Sequence, residues 1–86
     1  MQFINLAGYK FVPLDRLELL KAQFKSRCEN LGLKGTVLLS AEGINVFVAG
    51  AEAAVVGFID FVHTDERLAD VRFKRSVSDF QPFDSA

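Results

Sequence analysis

Residues Leu33 to Gly50, LKGTVLLSAEGINVFVAG, contain two strand patterns, Thr36–Ser40 and Ile44–Ala49, joined by Ala41-Glu42-Gly43. Val, Ile, Thr and Phe favour the pleated, half-buried backbone of a strand, and a short Gly-containing link between two such runs makes a hairpin. Gly43 suits positive φ at the turn exit, where a Cβ would clash.

Working outward from the hairpin, Phe3 to Val12 is rich in Phe, Tyr, Ile, Leu and Val and reads as a first strand. Gly8 inside it marks a bulge or a close backbone approach. Pro13 has no N–H to give to a ladder and ends the strand. A helix then begins near Leu14 or Asp15, with Asp15 as its N-cap. Leu17, Leu20, Phe24, Cys28 and Leu31 fall on one face, while Arg16, Lys21, Lys25 and Glu29 fall on the other. Gly32 stands where a C′ glycine belongs.

Beyond the hairpin, Gly50 and Ala51-Glu52-Ala53-Ala54 open a second helix whose buried stripe is Val55, Phe58, Ile59 and Val62. Gly57 in its interior permits close packing on the sheet, at a cost of about 1 kcal/mol relative to Ala. The helix ends near His63-Thr64, and Asp65-Glu66-Arg67 is a polar connection. From Ala69 to Val77, Val71, Phe73 and Val77 alternate with Arg72, Lys74 and Ser76, which describes a last strand with one apolar face. The order β-α-β-β-α-β, with right-handed crossovers, predicts an α+β ferredoxin-like sandwich: an antiparallel four-stranded sheet with both helices on one face. The domain spans 1–77; 78–86 is expected to be a linker or the start of a truncated strand.

Eighty-six residues make one domain, able to bury roughly 60–65% of its unfolded surface. Half the residues are hydrophobic and nine are Phe, enough for a core without metal or disulfide. A net charge of −1 argues against a strongly basic nucleic-acid binder. The single cysteine excludes an internal disulfide and fits a reducing compartment. There is no apolar run of the ~20 residues a membrane span needs, and Met1-Gln2-Phe3 lacks a signal peptide's basic start. The expected location is cytoplasmic, with no membrane, metal or cofactor.

Lys34-Gly35-Thr36-Val37-Leu38-Leu39-Ser40-Ala41-Glu42-Gly43-Ile44-Asn45 also resembles the KGTILLAxEGIN block of the rhodanese-like tRNA uridine hydroxylases, a family long uncharacterised and often labelled sulfurtransferases. Tyr9 to Leu14 resembles the family's YKFVPL, Leu31 to Gly35 its helix-to-strand link, and Ser78 to Phe83 its SDxQPF segment. Asn45-Val46-Phe47-Val48-Ala49-Gly50 departs from the commoner NGTVAG wording but remains a good strand. The resemblance implies an acylphosphatase-like N-terminal domain, followed in the family by a rhodanese-like domain with a reactive cysteine. That cysteine corresponds to no position here, so the chain is expected to be catalytically inert. The resemblance implies that the parent is an oxidoreductase of tRNA modification, hydroxylating the wobble uridine with oxygen.

Acylphosphatase activity resembles an anion cradle formed by a Gly-rich loop, an arginine opening the first helix and an asparagine on a later strand. The corresponding loop here, Phe11 to Asp15, contains Pro13, which lacks an N–H, and Asp15, which repels phosphate, so Arg16 and Asn45 do not make that site. Cys28 reads as a buried hydrophobe with a raised pKa. His63 lacks co-ligands for a metal and is expected to interact with the helix C-terminus.

Lys10, Arg72, Lys74 and Arg75 are the candidate tRNA contacts, with Phe47 or Tyr9 as a stacking ring. Tyr9 and Lys10 cannot both face outward on a regular strand. Glu42, Gly43, Asn45, Gln81 and Phe83 are the candidate hairpin or interface residues, contacting RNA or the rhodanese-like domain. The alternative function is a docking module that orients that domain.

Overall fold

The computed structural model describes residues 2–83. β1 spans Phe3–Phe11, α1 Leu17–Leu31, β2 Lys34–Ser40, β3 Gly43–Gly50, α2 Glu52–His63 and β4 Phe73–Ser78, with a short 3₁₀ turn at Glu66–Leu68 before β4. The sheet order is β2-β3-β1-β4, and every neighbouring pair is antiparallel. This is the four-stranded α+β ferredoxin-like sheet with two helices that the element order predicts.

One face of the sheet supplies the core. On β1 it carries Ile4 and Leu6, and on β3 Ile44, Val46 and Val48, all buried. α1 brings Leu20, Phe24 and Cys28 to it; α2 brings Val55, Phe58 and Val62. Phe24 meets Phe58 and Phe61 edge-on, and the Arg27 guanidinium lies 4.7 Å over the Phe61 ring, joining the two helices at their surface. Gly32 ends α1 in the left-handed region (φ 70), and Leu33 N–H returns to the Cys28 carbonyl, a Schellman-type cap.

Several local expectations change. Asp15 is not the N-cap of α1. Arg16 holds that position at φ 51 without a side-chain cap, and the Asp15 carboxylate instead accepts from Arg67 Nη1 at 2.8 Å. Gly8 makes no bulge: β1 keeps regular register on both sides, and the glycine leaves room for the Phe73 ring, which a Cβ would strike at 2.6 Å. Gly57 faces Leu31 of α1 rather than the sheet. The last strand begins at Phe73, not Ala69, because Leu68 and Val71 are buried by the turn that precedes it. Ser78 closes that strand. His63 closes α2 as the basic residue of its last turn, and its Nε2 also donates to the Val71 carbonyl at 2.9 Å, tethering α2 to the approach of β4.

The loops at one end of the sheet are held by charge. Arg67 donates through Nε and Nη2 to Asp65 and through Nη1 to Asp15. Hydrogen bonds from Arg67 hold the Asp65 carboxyl below its ordinary value of 3.8. Its stabilisation is therefore complete above the unfolded carboxyl's pKa and is lost as pH falls through the depressed folded value. Asp65→Asn is expected to flatten the acid limb of stability measured against pH below about 4, by less than ~1 kcal/mol because the pair is part-exposed. An acid limb as steep in the variant as in the parent would exclude this carboxylate.

Candidate nucleic-acid interface

Strand alternation sends a second set of side chains to the face away from the helices. They are Phe3, Asn5, Ala7, Tyr9 and Phe11 on β1, and Lys34, Thr36, Leu38 and Ser40 on β2. β3 adds Gly43, Asn45, Phe47 and Ala49, and β4 adds Lys74, Ser76 and Ser78. None of the four strands contains an aspartate or glutamate, although the chain as a whole is net negative.

This outer face has two halves. At one end the chain after β4 folds back across it. Gln81 Nε2 donates to the Ala49 carbonyl at 3.0 Å, and Ala49 is fully buried despite facing outward. Gln81 Oε1 accepts from the Phe83 N–H, and Pro82 and Phe83 border a hollow shared with Asn5, Ala7, Phe47 and Lys74. Asn5 Nδ2 reaches Ser76 and Ser78, binding β1 to β4 beneath this strap. Gln81 and Phe83, expected at an interface, thus contact their own sheet, and Phe80 stays 67% exposed.

The other end lies open. Tyr9, Phe11 and Leu38 are 64%, 83% and 60% exposed there, Phe47 is 50% exposed where this half meets the strap's hollow, and the Tyr9 and Phe11 rings meet edge-on at 5.7 Å. A depression of about 400 Å³ lies among Tyr9, Phe11, Leu38, Ser40, Glu42 and Asn45.

Gly43 opens β3 at φ 150, and a Cβ there would overlap the Lys10 carbonyl oxygen. Its role is therefore steric, and the turn proper is Ala41-Glu42. The carbonyls of Glu42 and Ala41 accept from Val12 N–H (3.0 Å) and Leu14 N–H (3.2 Å), so the hairpin tip is tied to the β1–α1 loop. Those bonds consume the loop amides that an acylphosphatase-type anion cradle would need, and Pro13 has none to add.

The four basic candidates do not form one cluster. Lys74 faces outward, and Arg72, just before β4, continues its side by alternation. Lys10 lies on the helix side, opposite Ile44, where Nζ donates to the Arg67 carbonyl at 2.7 Å and to the Asp70 carboxylate. Arg75 pairs across from Leu6 and also lies on the helix side, at the edge. Conversely, Lys34, Phe11 and Leu38 belong to the outer face and were not singled out in the sequence. Alternation within each strand carried that signal, but only the register showed which parity faces out.

Cys28 is buried against the sheet, and desolvation pushes its thiol up, away from nucleophilic chemistry. Among the described residues, no group of three His, Cys, Asp or Glu side chains could hold a metal ion, and no helix is long and apolar enough to cross a membrane.

Residues 3–86 match the family model described as the UPF0176 acylphosphatase like domain. The chain belongs to that family. It is similar to proteins named tRNA uridine(34) hydroxylase. One from Cupriavidus necator is 53% identical over 83 residues, and one from Burkholderia thailandensis is 46% identical over 87. Each match covers 96% of this chain and 29% of the relative, so the chain spans under a third of those proteins and is their N-terminal domain. Among solved structures, the Klebsiella pneumoniae BlrP1 manganese/cy-diGMP complex matches with a TM-score of 0.70 at 21% identity. That match covers 93% of this chain and 21% of that one, and it bears on the fold alone.

Proposed function

We propose that this domain is the non-catalytic, tRNA-positioning N-terminal part of a tRNA wobble-uridine hydroxylase, and that it contacts RNA with its outer sheet face. The observation that carries the reading is charge segregation. Among the described residues the acidic side chains are confined to helices and loops, while the outer face presents Lys34 on one edge strand and Lys74 on the other, with Arg72 just before Lys74. A polyanion approaching the sheet meets cations and rings without a carboxylate on any strand. Lys10 and Arg75, on the helix side, have a supporting role at most in such contacts.

A salt series of tRNA binding to this chain tests the proposal. The logarithm of affinity should fall linearly with the logarithm of salt concentration, with a slope of roughly −2 to −3 for about three phosphate contacts. Lys74→Glu and Arg72→Glu should each weaken binding across RNA sequences and flatten the slope by about one. Slope and affinity unchanged in both variants would remove the outer face from RNA binding.

A second reading has its own observation in its favour. Tyr9, Phe11, Leu38 and Phe47 form an exposed apolar surface that a neighbouring rhodanese-like domain would cover. It predicts no RNA binding by this chain and loss of RNA modification in the full-length protein when the patch is made polar.

A further inference from the structure

We infer that the open end of the outer face is a binding site for unpaired RNA bases, one stacked on Tyr9 and a neighbour on Phe47. The inference rests on the RNA reading above and specifies what that face recognises. Tyr9 pairs across the sheet with Asn45, which pairs in turn with Leu38. These side chains form a row of ring, amide and aliphatic group, with about 5 Å between successive members. The next row is Thr36, Phe47, Ala7 and Lys74, again one ring on a central strand, with small side chains beside it, a cation at its end and the Pro82–Phe83 strap along its far side.

Two features favour a base over an apolar protein surface. The first is Asn45, exposed in the middle of the aromatic row with no side-chain hydrogen bond among the described residues. A dry apolar partner would leave that amide desolvated and unpaired, whereas a base edge offers it both donor and acceptor. Ser40 and Glu42 border the same depression and add a hydroxyl and a carboxylate within its rim. The second feature is charge: Lys74 closes the Phe47 row, where the phosphate of a base stacked on that ring would lie. Duplex RNA keeps its bases stacked internally, so such a site selects single-stranded segments and loops.

Tyr9 is the only tyrosine and the chain has no tryptophan, so intrinsic fluorescence reports on this ring alone. Titration with hexauridylate at low salt should quench that emission saturably, while an RNA duplex of equal charge should leave it nearly unchanged. With end-labelled hexauridylate, Tyr9→Leu should lose roughly 5- to 150-fold in affinity, Phe47→Leu should act in the same direction, and Tyr9→Phe should retain binding. If hexauridylate binds without quenching and Tyr9→Leu binds as tightly as the parent, the base site is overturned while phosphate contact stands. If neither hexauridylate nor tRNA binds at low salt, both readings fall and a protein partner takes the face.

Discussion

Phe58→Ala is expected to lower the free energy of unfolding by about 4 kcal/mol, read from urea denaturation followed by far-ultraviolet circular dichroism. The ring is fully buried and stands edge-on to Phe24 of α1 at 6.1 Å and to Phe73 of β4 at 6.3 Å. It therefore touches both helical and sheet layers, and its removal opens space that neither can fill. The sheet below is fixed by ladders on both sides of β1, and α1 is held off by its own contacts with Phe61. A domain of this length has a total stability on the order of 4–13 kcal/mol, so the loss is a third of it or more. Phe80→Ala is the matched control: that ring is 67% exposed, and its removal should change stability by no more than about 0.5 kcal/mol. Equal effects in the two variants would contradict the packing described.

Phe58 was also legible in the sequence, and the reason separates what could be read from what could not. The stripe of Val55, Phe58 and Val62 and that of Leu20, Phe24 and Cys28 obey helical spacing, which depends only on local order. The hairpin and the β-α-β-β-α-β order follow from composition and turn chemistry at the same local range. The outer face needs one more fact, the parity of each strand, and parity comes from cross-strand register. Tyr9 and Lys10 compete for the outer face, and the local sequence of Phe3–Phe11 leaves open whether Gly8 bulges and exchanges them. The decision lies in Gly8, which admits the Phe73 ring without a bulge and so keeps Leu6 and Lys10 on the helix side. Val77 follows the expected parity yet is 58% exposed, because β4 is an edge strand that the helices do not cover there. The strap formed by Gln81 was invisible for a similar reason: its partner, the Ala49 carbonyl, is 32 residues away.

Gly43→Ala should cost about 3 kcal/mol of stability and should also weaken RNA binding by the molecules that remain folded. Backbone at φ 150 disfavours any side chain, and the new Cβ would be driven into the Lys10 carbonyl of the neighbouring strand. Relief requires β3 to part from β1 at the Gly43–Phe11 pair, next to the bonds from Val12 and Leu14 to the hairpin tip. The displaced residues are those that set Asn45 across from Tyr9, so fold and interface fail from one cause. Glu42→Ala separates the two effects. Its side chain is exposed, and its backbone bonds to Ser40 and Val12 survive truncation, so stability should stay within about 0.5 kcal/mol. A change in RNA affinity in Glu42→Ala at unchanged stability would make the carboxylate part of the recognition surface. Loss of stability in Gly43→Ala with the affinity of its folded fraction intact would instead confine the glycine to a steric role and detach the tip from RNA binding.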